Sequence, residues 1–331
     1  MASRLMEPEQ IAAMNAAVVP RLRMPARATV FGERAARLQQ LADNSTIGDY
    51  LRFVARLVGA QQTLLAEFET PMPSAESIAV AQRHSMPVLP AMGARPPLWR
   101  DVLSRLLDLM AADTLPPPLQ ALIAQVRGLD GEALEQLADA VLNAQSGGSA
   151  RGVDPASAPF VMAALQVVWT DLASRLAPAE VPYLDTPGHC PCCGSLPVAS
   201  VVRIGGVYQG YRFLQCGLCA TEWHMVRIKC SHCDSTEGIA YHGIEGTSDA
   251  LKAETCDHCG TYRKIVYLEK DMNGEAFADD LASLPLDLMV TEAGFKRSSG
   301  HPFLWQAEQD EDDQEAQGRQ ATPGTSDRQG T

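Results

Sequence analysis

The chain has 331 residues and a net charge of −13, from 27 basic and 40 acidic side chains. That length fits about two or three domains, and an apolar fraction of 46% supports a sizeable core. The acidic balance argues against a nucleic-acid or anionic-membrane partner. No apolar run is long enough to span a bilayer. Residues 1–10 carry Arg4, Glu7 and Glu9 and lack the apolar stretch of a secretory signal. A cytoplasmic protein is expected, in which thiols stay reduced and serve as metal ligands or catalytic groups.

Residues 1–183 read as an all-α domain. Apolar residues recur at helical spacing over 31–42, where Phe31, Ala35, Leu38 and Leu41 share a face. The same spacing governs 50–65, through Leu51, Val54, Leu57, Val58, Gln61 and Leu65. Further helices are expected over 98–112, 119–126 and 132–144, and an amphipathic one over 158–176. Prolines at 71, 73, 87, 90, 96, 97 and 116–118 mark where they end. The segment 146–153 (SGGSARGV) is a loop or linker.

The cysteine region opens at 184–188 (LDTPG), and β-type residues alternate beyond it, over 198–204, 207–214, 221–228, 239–244 and 262–268. Gly205-Gly206 is a hairpin turn signal. A last helix is expected over 277–293, kinked or interrupted at Pro285. Residues 306–331 read as a disordered acidic tail.

All nine cysteines fall between 190 and 259, and eight form four C-x-x-C pairs: Cys190/Cys193, Cys216/Cys219, Cys230/Cys233 and Cys256/Cys259. Each of the first four paired cysteines recurs forty positions later, as do Gly206 at Gly246, Thr221 at Thr261 and Val226 at Val266. This is an internal repeat of two units. A C-x-x-C turn lets two thiolates converge on one ion, and two such turns give four soft ligands in a tetrahedron suited to zinc or a single iron. Units of this length bury little core, so the ion is expected to supply much of their folding energy. A thioredoxin-type redox pair does not suit four pairs with β-rich flanks.

The repeat favours sequential pairing, first turn with second and third with fourth; interleaved pairing is the competitor. Cys192 has His232 as its repeat mate and is therefore read as a non-ligand, a spare and exposed thiol. His189, His224, His232 and His258 flank the turns and are read as surface or strand residues. Trp223 and Tyr262 are read as core aromatics rather than base-stacking platforms. No catalytic residue is assigned: 146–153 lacks the lysine and the context of a phosphate loop, and there is no nucleophile elbow or HExxH motif. Zinc ribbons often bind nucleic acid, but residues 181–272 form no basic patch.

Several stretches resemble the formate dehydrogenase accessory protein FdhE family. They are CPCCGSLPV from Cys190, CGLCATEWH from Cys216, VRIKCSHC from Val226, IEG from Ile244, KAE from Lys252 and ADDLASLPLD from Ala278. RAARL from Arg34 and DYLRF from Asp49 resemble it as well. The chain departs from the pattern at Cys192, where a non-cysteine is expected, and at His301, where asparagine is expected.

The resemblance implies a cytoplasmic protein required for active formate dehydrogenase. It implies contact with the molybdenum-containing catalytic subunit rather than catalysis. It also implies rubredoxin-like sites that hold iron, with zinc as the alternative, and all eight paired cysteines as ligands. A redox protein exchanging electrons with the dehydrogenase during its maturation is the alternative.

The expected class is α+β multidomain, an all-α N-terminal domain followed by two tandem rubredoxin-like or zinc-ribbon domains and a C-terminal helix. The expected boundaries are 1–183, 184–229 and 230–272 for these domains, 273–305 for the helix and its extension, and 306–331 for the tail.

Overall fold

In the computed structural model the described residues are 19–43, 45–112 and 115–305. The expectations for residues 1–10 and for the tail at 306–331 lie outside them. The described residues form nine α-helices and eight strands. None of these helices is long and apolar enough to cross a membrane.

The helical region comprises α1 (Val30–Ala42), α2 (Gly48–Glu67), α3 (Ala75–Arg83), α4 (Trp99–Ala111), α5 (Pro117–Arg127), α6 (Gly131–Gln145) and α7 (Ala158–Ser174). Ser74 and Asp130 cap α3 and α6 by accepting from the backbone N–H groups of Ser77 and Ala133. Pro117 and Pro118 open α5, where the missing N–H has no intrahelical partner to lose.

The amphipathic reading of 158–176 needs correction. Helix α7 is buried on every face from Ala158 to Ala173 and packs against α2, α4 and α6. Its buried polar residues Gln166 and Asp171 are matched inside the core, which the apolar period could not show. Gln61 Nε2 donates to Gln166 Oε1 at 2.8 Å and to the Ala163 carbonyl at 2.9 Å. Asp171 accepts from Arg27 Nε at 3.0 Å, from Arg175 Nη2 at 2.6 Å and from the Thr70 amide at 2.7 Å.

The strands are β1 (Leu22–Arg23), β2 (Pro197–Val202), β3 (Arg212–Cys216), β4 (Glu222–Met225), β5 (Ile239–His242), β6 (Leu251–Cys256), β7 (Thr261–Tyr267) and β8 (Lys296–Arg297). They form one sheet in the order β1-β4-β3-β2-β7-β6-β5, with β8 paired to β7. Strands β2–β4 are the ribbon of the first cysteine repeat and β5–β7 that of the second. The ribbons are joined by a parallel pairing of β2 with β7, Ser200 opposite Ile265, so they share one sheet. The helical region contributes the edge strand β1, which pairs with β4.

Strand β6 (LKAETC) was not expected, because Lys, Ala and Glu are weak strand formers. It forms because it is paired on both sides, by β5 and β7. The strand expected at 207–214 begins instead at Arg212, after a short 3-10 turn at Gly206–Tyr208.

The C-terminal helix is interrupted near Pro285, as expected, giving α8 (Ala276–Ala282) and α9 (Leu284–Glu292) with Pro285 in the first turn of α9. Helix α8 returns to α1. Arg37 Nε donates to Asp279 Oδ2 at 3.0 Å and Arg37 Nη2 to Asp271 Oδ2 at 2.7 Å, while Arg34 Nε donates to Glu275 Oε1 at 3.1 Å. The Arg34 guanidinium also lies 4.0 Å from the Phe277 ring centroid.

Candidate metal centre

Each cysteine pair sits in a tight turn at a strand end. Cys190 and Cys193 precede β2, and Cys216 closes β3 with Cys219 just before β4. Cys230 and Cys233 precede β5, and Cys256 closes β6 with Cys259 just before β7. In all four turns the residue after the second cysteine has positive φ: Gly194 at 81°, Ala220 at 57°, Asp234 at 65° and Gly260 at 67°. Ala220 and Asp234 adopt this backbone at a cost of about 1–2 kcal/mol each, strain of the kind that collects at functional sites.

The turn geometry aims backbone N–H groups at sulfur. Leu218 and Cys219 donate to Cys216 Sγ at 3.3 and 3.4 Å, and His232 and Cys233 donate to Cys230 Sγ at 3.4 and 3.5 Å. The two repeats also share a brace, Cys190 N to Ser195 O at 2.9 Å and Cys230 N to Ser235 O at 2.8 Å.

The four turns gather the sulfurs into two groups, Cys190/Cys193/Cys216/Cys219 and Cys230/Cys233/Cys256/Cys259, each with all four Sγ atoms within 4.8 Å of one another. Sγ–Sγ separations include 3.5 Å (Cys190–Cys219) and 3.4 Å (Cys193–Cys216) in the first group. In the second they are 3.7 Å for both Cys230–Cys259 and Cys233–Cys256. This is the sequential grouping. Thr221 Oγ1 lies 3.2 Å from Cys219 Sγ, and its repeat mate Thr261 Oγ1 lies 3.1 Å from Cys259 Sγ. A hydroxyl at that distance can donate to a thiolate and stabilise its charge.

Four convergent sulfurs, N–H groups pointing at them and a hydroxyl beside each group suit a tetrahedral thiolate-bound ion. The electrostatics agree. Burial pushes the Cys190 and Cys216 thiols well up, and it raises Cys230 to about 12. Burial acts upward on Cys219 too, but hydrogen bonds from Cys190, Cys192, Cys193 and Cys216 outweigh it and hold Cys219 low. Four thiolates this close need a cation to compensate their charge.

The groups differ in environment. All four cysteines of the first are buried, whereas Cys233 and Cys259 of the second are partly exposed. The segment after α3 covers the first group: Leu89 and Ala91 donate their amides to the carbonyls of Cys192 and Cys193 at 2.8 and 2.9 Å. Trp169 on α7 anchors that cover through Nε1 to the Leu89 carbonyl at 2.9 Å, and Gln166 holds the Gly217 carbonyl at 2.7 Å. These covering residues carry no sequence signal, because they act through backbone atoms or as core side chains.

Cys192 is not the exposed thiol expected. It is buried, and its thiol faces Cys190 and Cys219 without belonging to the four-sulfur group. Hydrogen bonding with Cys190 favours its ionised form, but Cys219 and burial prevail and keep its thiol protonated. His189 and His224 are half-buried and His232 and His258 exposed, all outside the two groups. Trp223 and Tyr262 are buried, Trp223 Nε1 donating to the Pro187 carbonyl and Tyr262 Oη to Asp287, both at 2.8 Å.

Sequence reasoning missed Arg263. Its Nε donates to Ser231 Oγ at 2.8 Å and its Nη1 to Ser299 Oγ at 2.7 Å, and Nη1 also bonds the Pro197 carbonyl. It thereby ties the third cysteine turn to the strand that follows the first.

Three family models match in succession: "FdhE, N-terminal" over residues 19–185, "FdhE, central domain" over 189–227 and "FdhE, C-terminal domain" over 228–304. The chain belongs to the FdhE family. It is 40% identical over 300 residues to the protein FdhE homolog of Cronobacter sakazakii, covering 89% of this chain and 94% of that one. Identity and coverage are the same for the protein FdhE of Salmonella typhimurium. The crystal structure of the FdhE protein from Pseudomonas aeruginosa superposes with a TM-score of 0.76 at 37% identity, covering 86% of this chain and 99% of that one. The two FdhE motifs recognised in the helical region and near the C-terminus meet in space, since Arg37 of RAARL holds Asp279 of ADDLASLPLD.

Proposed function

We propose that this FdhE-family chain is a non-catalytic, cytoplasmic accessory factor for formate dehydrogenase, binding the molybdenum-containing catalytic subunit during assembly. The observation that carries this reading is the pair of four-sulfur groups. With Cys190, Cys193, Cys216 and Cys219 on one ion and Cys230, Cys233, Cys256 and Cys259 on another, each site takes four protein ligands and leaves no position for water. Such ions staple the ribbons and present the turns rigidly, so the protein acts by binding. Iron is favoured by the family resemblance, with zinc the alternative.

The organisation that goes with this is a helical unit to residue 183, ribbons over 184–229 and 230–272, and a C-terminal helix and extension over 273–305. The sheet and the Arg34 and Arg37 ion pairs hold these parts together.

The decisive experiment is deletion of the gene, with formate dehydrogenase activity as readout, alongside affinity capture of the tagged chain and elemental analysis of the same sample. Activity should be lost, and the catalytic subunit should be captured with two metal ions per chain. Full activity in the deletion strain overturns the reading.

The partial exposure of Cys233 and Cys259 favours a second reading, electron exchange through the second site. An iron-loaded protein would then bleach reversibly on reduction at an accessible potential. A colourless zinc protein eliminates it.

A further inference from the structure

A cavity of about 460 Å³ lies where the end of α6, the 185–189 segment and the third cysteine turn meet. That volume is within the range of small-molecule sites. Ser231, Cys233 and Asp234 of the turn line it, and so does Arg263 of β7.

Arg263 is 4% exposed, and all three of its hydrogen bonds go to uncharged oxygens, those of Ser231, Ser299 and Pro197. The other buried arginines among the described residues, Arg34, Arg37 and Arg212, each hold a carboxylate, of Glu275, Asp279 and Glu254. Arg263 holds none among the described residues. Asp280 and Glu254 attract its charge from a distance, but Arg297 takes the first and Arg212 the second. Burial and the like charges of Arg212 and Arg297 lower it from 12.5 to about 9, so it stays a cation at neutral pH. A buried cation without a counter-ion is costly, and an anion from outside the chain would relieve that cost.

The guanidinium has a free end for such a partner. Nε and Nη1 are engaged, whereas Nη2 makes no hydrogen bond among the described residues and is not closed off from solvent. Its charge is felt at another wall residue: burial, then His232 and Arg263, push the His189 ring below 6.5.

The N–H groups of a planar guanidinium suit an oxyanion. One uncompensated positive charge matches a monoanion. Asp185 and Asp234 also line the cavity, both exposed and neither paired with Arg263; Asp234 is held by Lys229 at 2.8 Å. Asp185 would repel a second negative charge on the ligand. Leu196 and Pro187 supply apolar wall for an organic group.

We propose that this cavity binds a small organic monocarboxylate, whose carboxylate accepts from Arg263 Nη2 and whose organic part lies against Leu196 and Pro187.

Binding is measured on the full metal-loaded chain, by calorimetry and thermal melts at constant ionic strength in sodium chloride. The probes are sodium formate, acetate, propionate and benzoate, with sodium sulfate as the dianion control. At least one carboxylate should bind 1:1 and raise Tm saturably, as a ligand of the native state must, and sulfate should not. Arg263→Gln should weaken that binding at least tenfold. Because it also removes bonds that brace the cysteine turn, Thr186→Glu is measured beside it. Thr186 is an exposed wall residue, and the added negative charge should weaken binding at least tenfold without disturbing the fold. The proposal fails if no carboxylate binds or if sulfate binds as tightly. It fails equally if Thr186→Glu, or a folded Arg263→Gln, binds as the parent does.

Discussion

Arg212 on β3 grips Glu254 on β6 through two parallel bonds of 2.8 Å, Nη1 to Oε2 and Nη2 to Oε1, with both side chains buried. The same guanidinium reaches Ser200 Oγ at 2.9 Å and the Arg227 and Lys229 carbonyls at 3.3 and 3.1 Å. It thus ties the first ribbon to the second and to the approach to Cys230.

Removing one partner strands a buried charge, so Glu254→Leu or Arg212→Met alone should cost about 3–5 kcal/mol. Replacing both with apolar residues should recover most of that loss, because neither charge is then left unpaired. Urea unfolding of the four proteins in the cycle checks this. Additive losses in the double variant would show that the two residues act independently.

Unequal burial of the two sulfur groups sets an order of metal loss. A chelator should first remove one ion per chain, from the site of Cys233 and Cys259, leaving the helical circular dichroism nearly intact. Loss of the second ion should then coincide with loss of that signal. In the apo protein, alkylation mapped by mass spectrometry should mark Cys233 and Cys259 before Cys190 or Cys219. Simultaneous release of both ions would contradict the difference in cover.

Cys192 fills space beside the first group without being one of its four sulfurs. Cys192→Ala should therefore keep two ions per chain while lowering stability by about 1–2 kcal/mol, the cost of a small buried void. A fall to one ion per chain would make Cys192 a ligand instead.

His301 is buried between Phe277 and Phe303, its Nε2 3.1 Å from the Phe277 carbonyl and its Nδ1 accepting the Phe303 amide at 3.0 Å. Burial depresses it from 6.5 to about 3; Asp280 and the Phe277 carbonyl pull upward, and Arg297 and Lys264 push further down. The ring is neutral in the fold, while the unfolded chain takes up a proton near pH 6.5. Its contribution is therefore complete above pH 6.5 and is lost as pH falls from there towards 3, by up to about 1.4 kcal/mol per unit. Tm measured from pH 8 to pH 5 should fall less steeply for His301→Asn, whose side chain does not titrate. Parallel curves would refute the assignment.

The cysteine turns were legible because their chemistry is local. A C-x-x-C turn is defined by four consecutive residues, and its forty-residue repeat survives whatever surrounds it. The helices over 31–42 and 50–65 were legible for the same reason, since a stripe of apolar residues records which face is buried. Helix α7 was misread as amphipathic because three of its polar residues, Gln166, Thr170 and Asp171, are buried. Partners for Gln166 and Asp171 lie on distant segments, and no sequence period reports such pairing. Strand β6 was missed because its two neighbours, rather than its own residues, hold it extended.

The sequence alone determined the eight sulfurs and their grouping by repeat, because both rest on spacing along the backbone, and its motifs carried the resemblance to the family. Tertiary structure decided which sulfur group is shielded, where Cys192 goes and how two ribbons become one sheet. These depend on β2 meeting β7, on Leu89 and Ala91 capping a turn a hundred residues away, and on Arg212 finding Glu254. Contacts between segments far apart in the chain are set by the packing of the whole core, and no short stretch of residues encodes them.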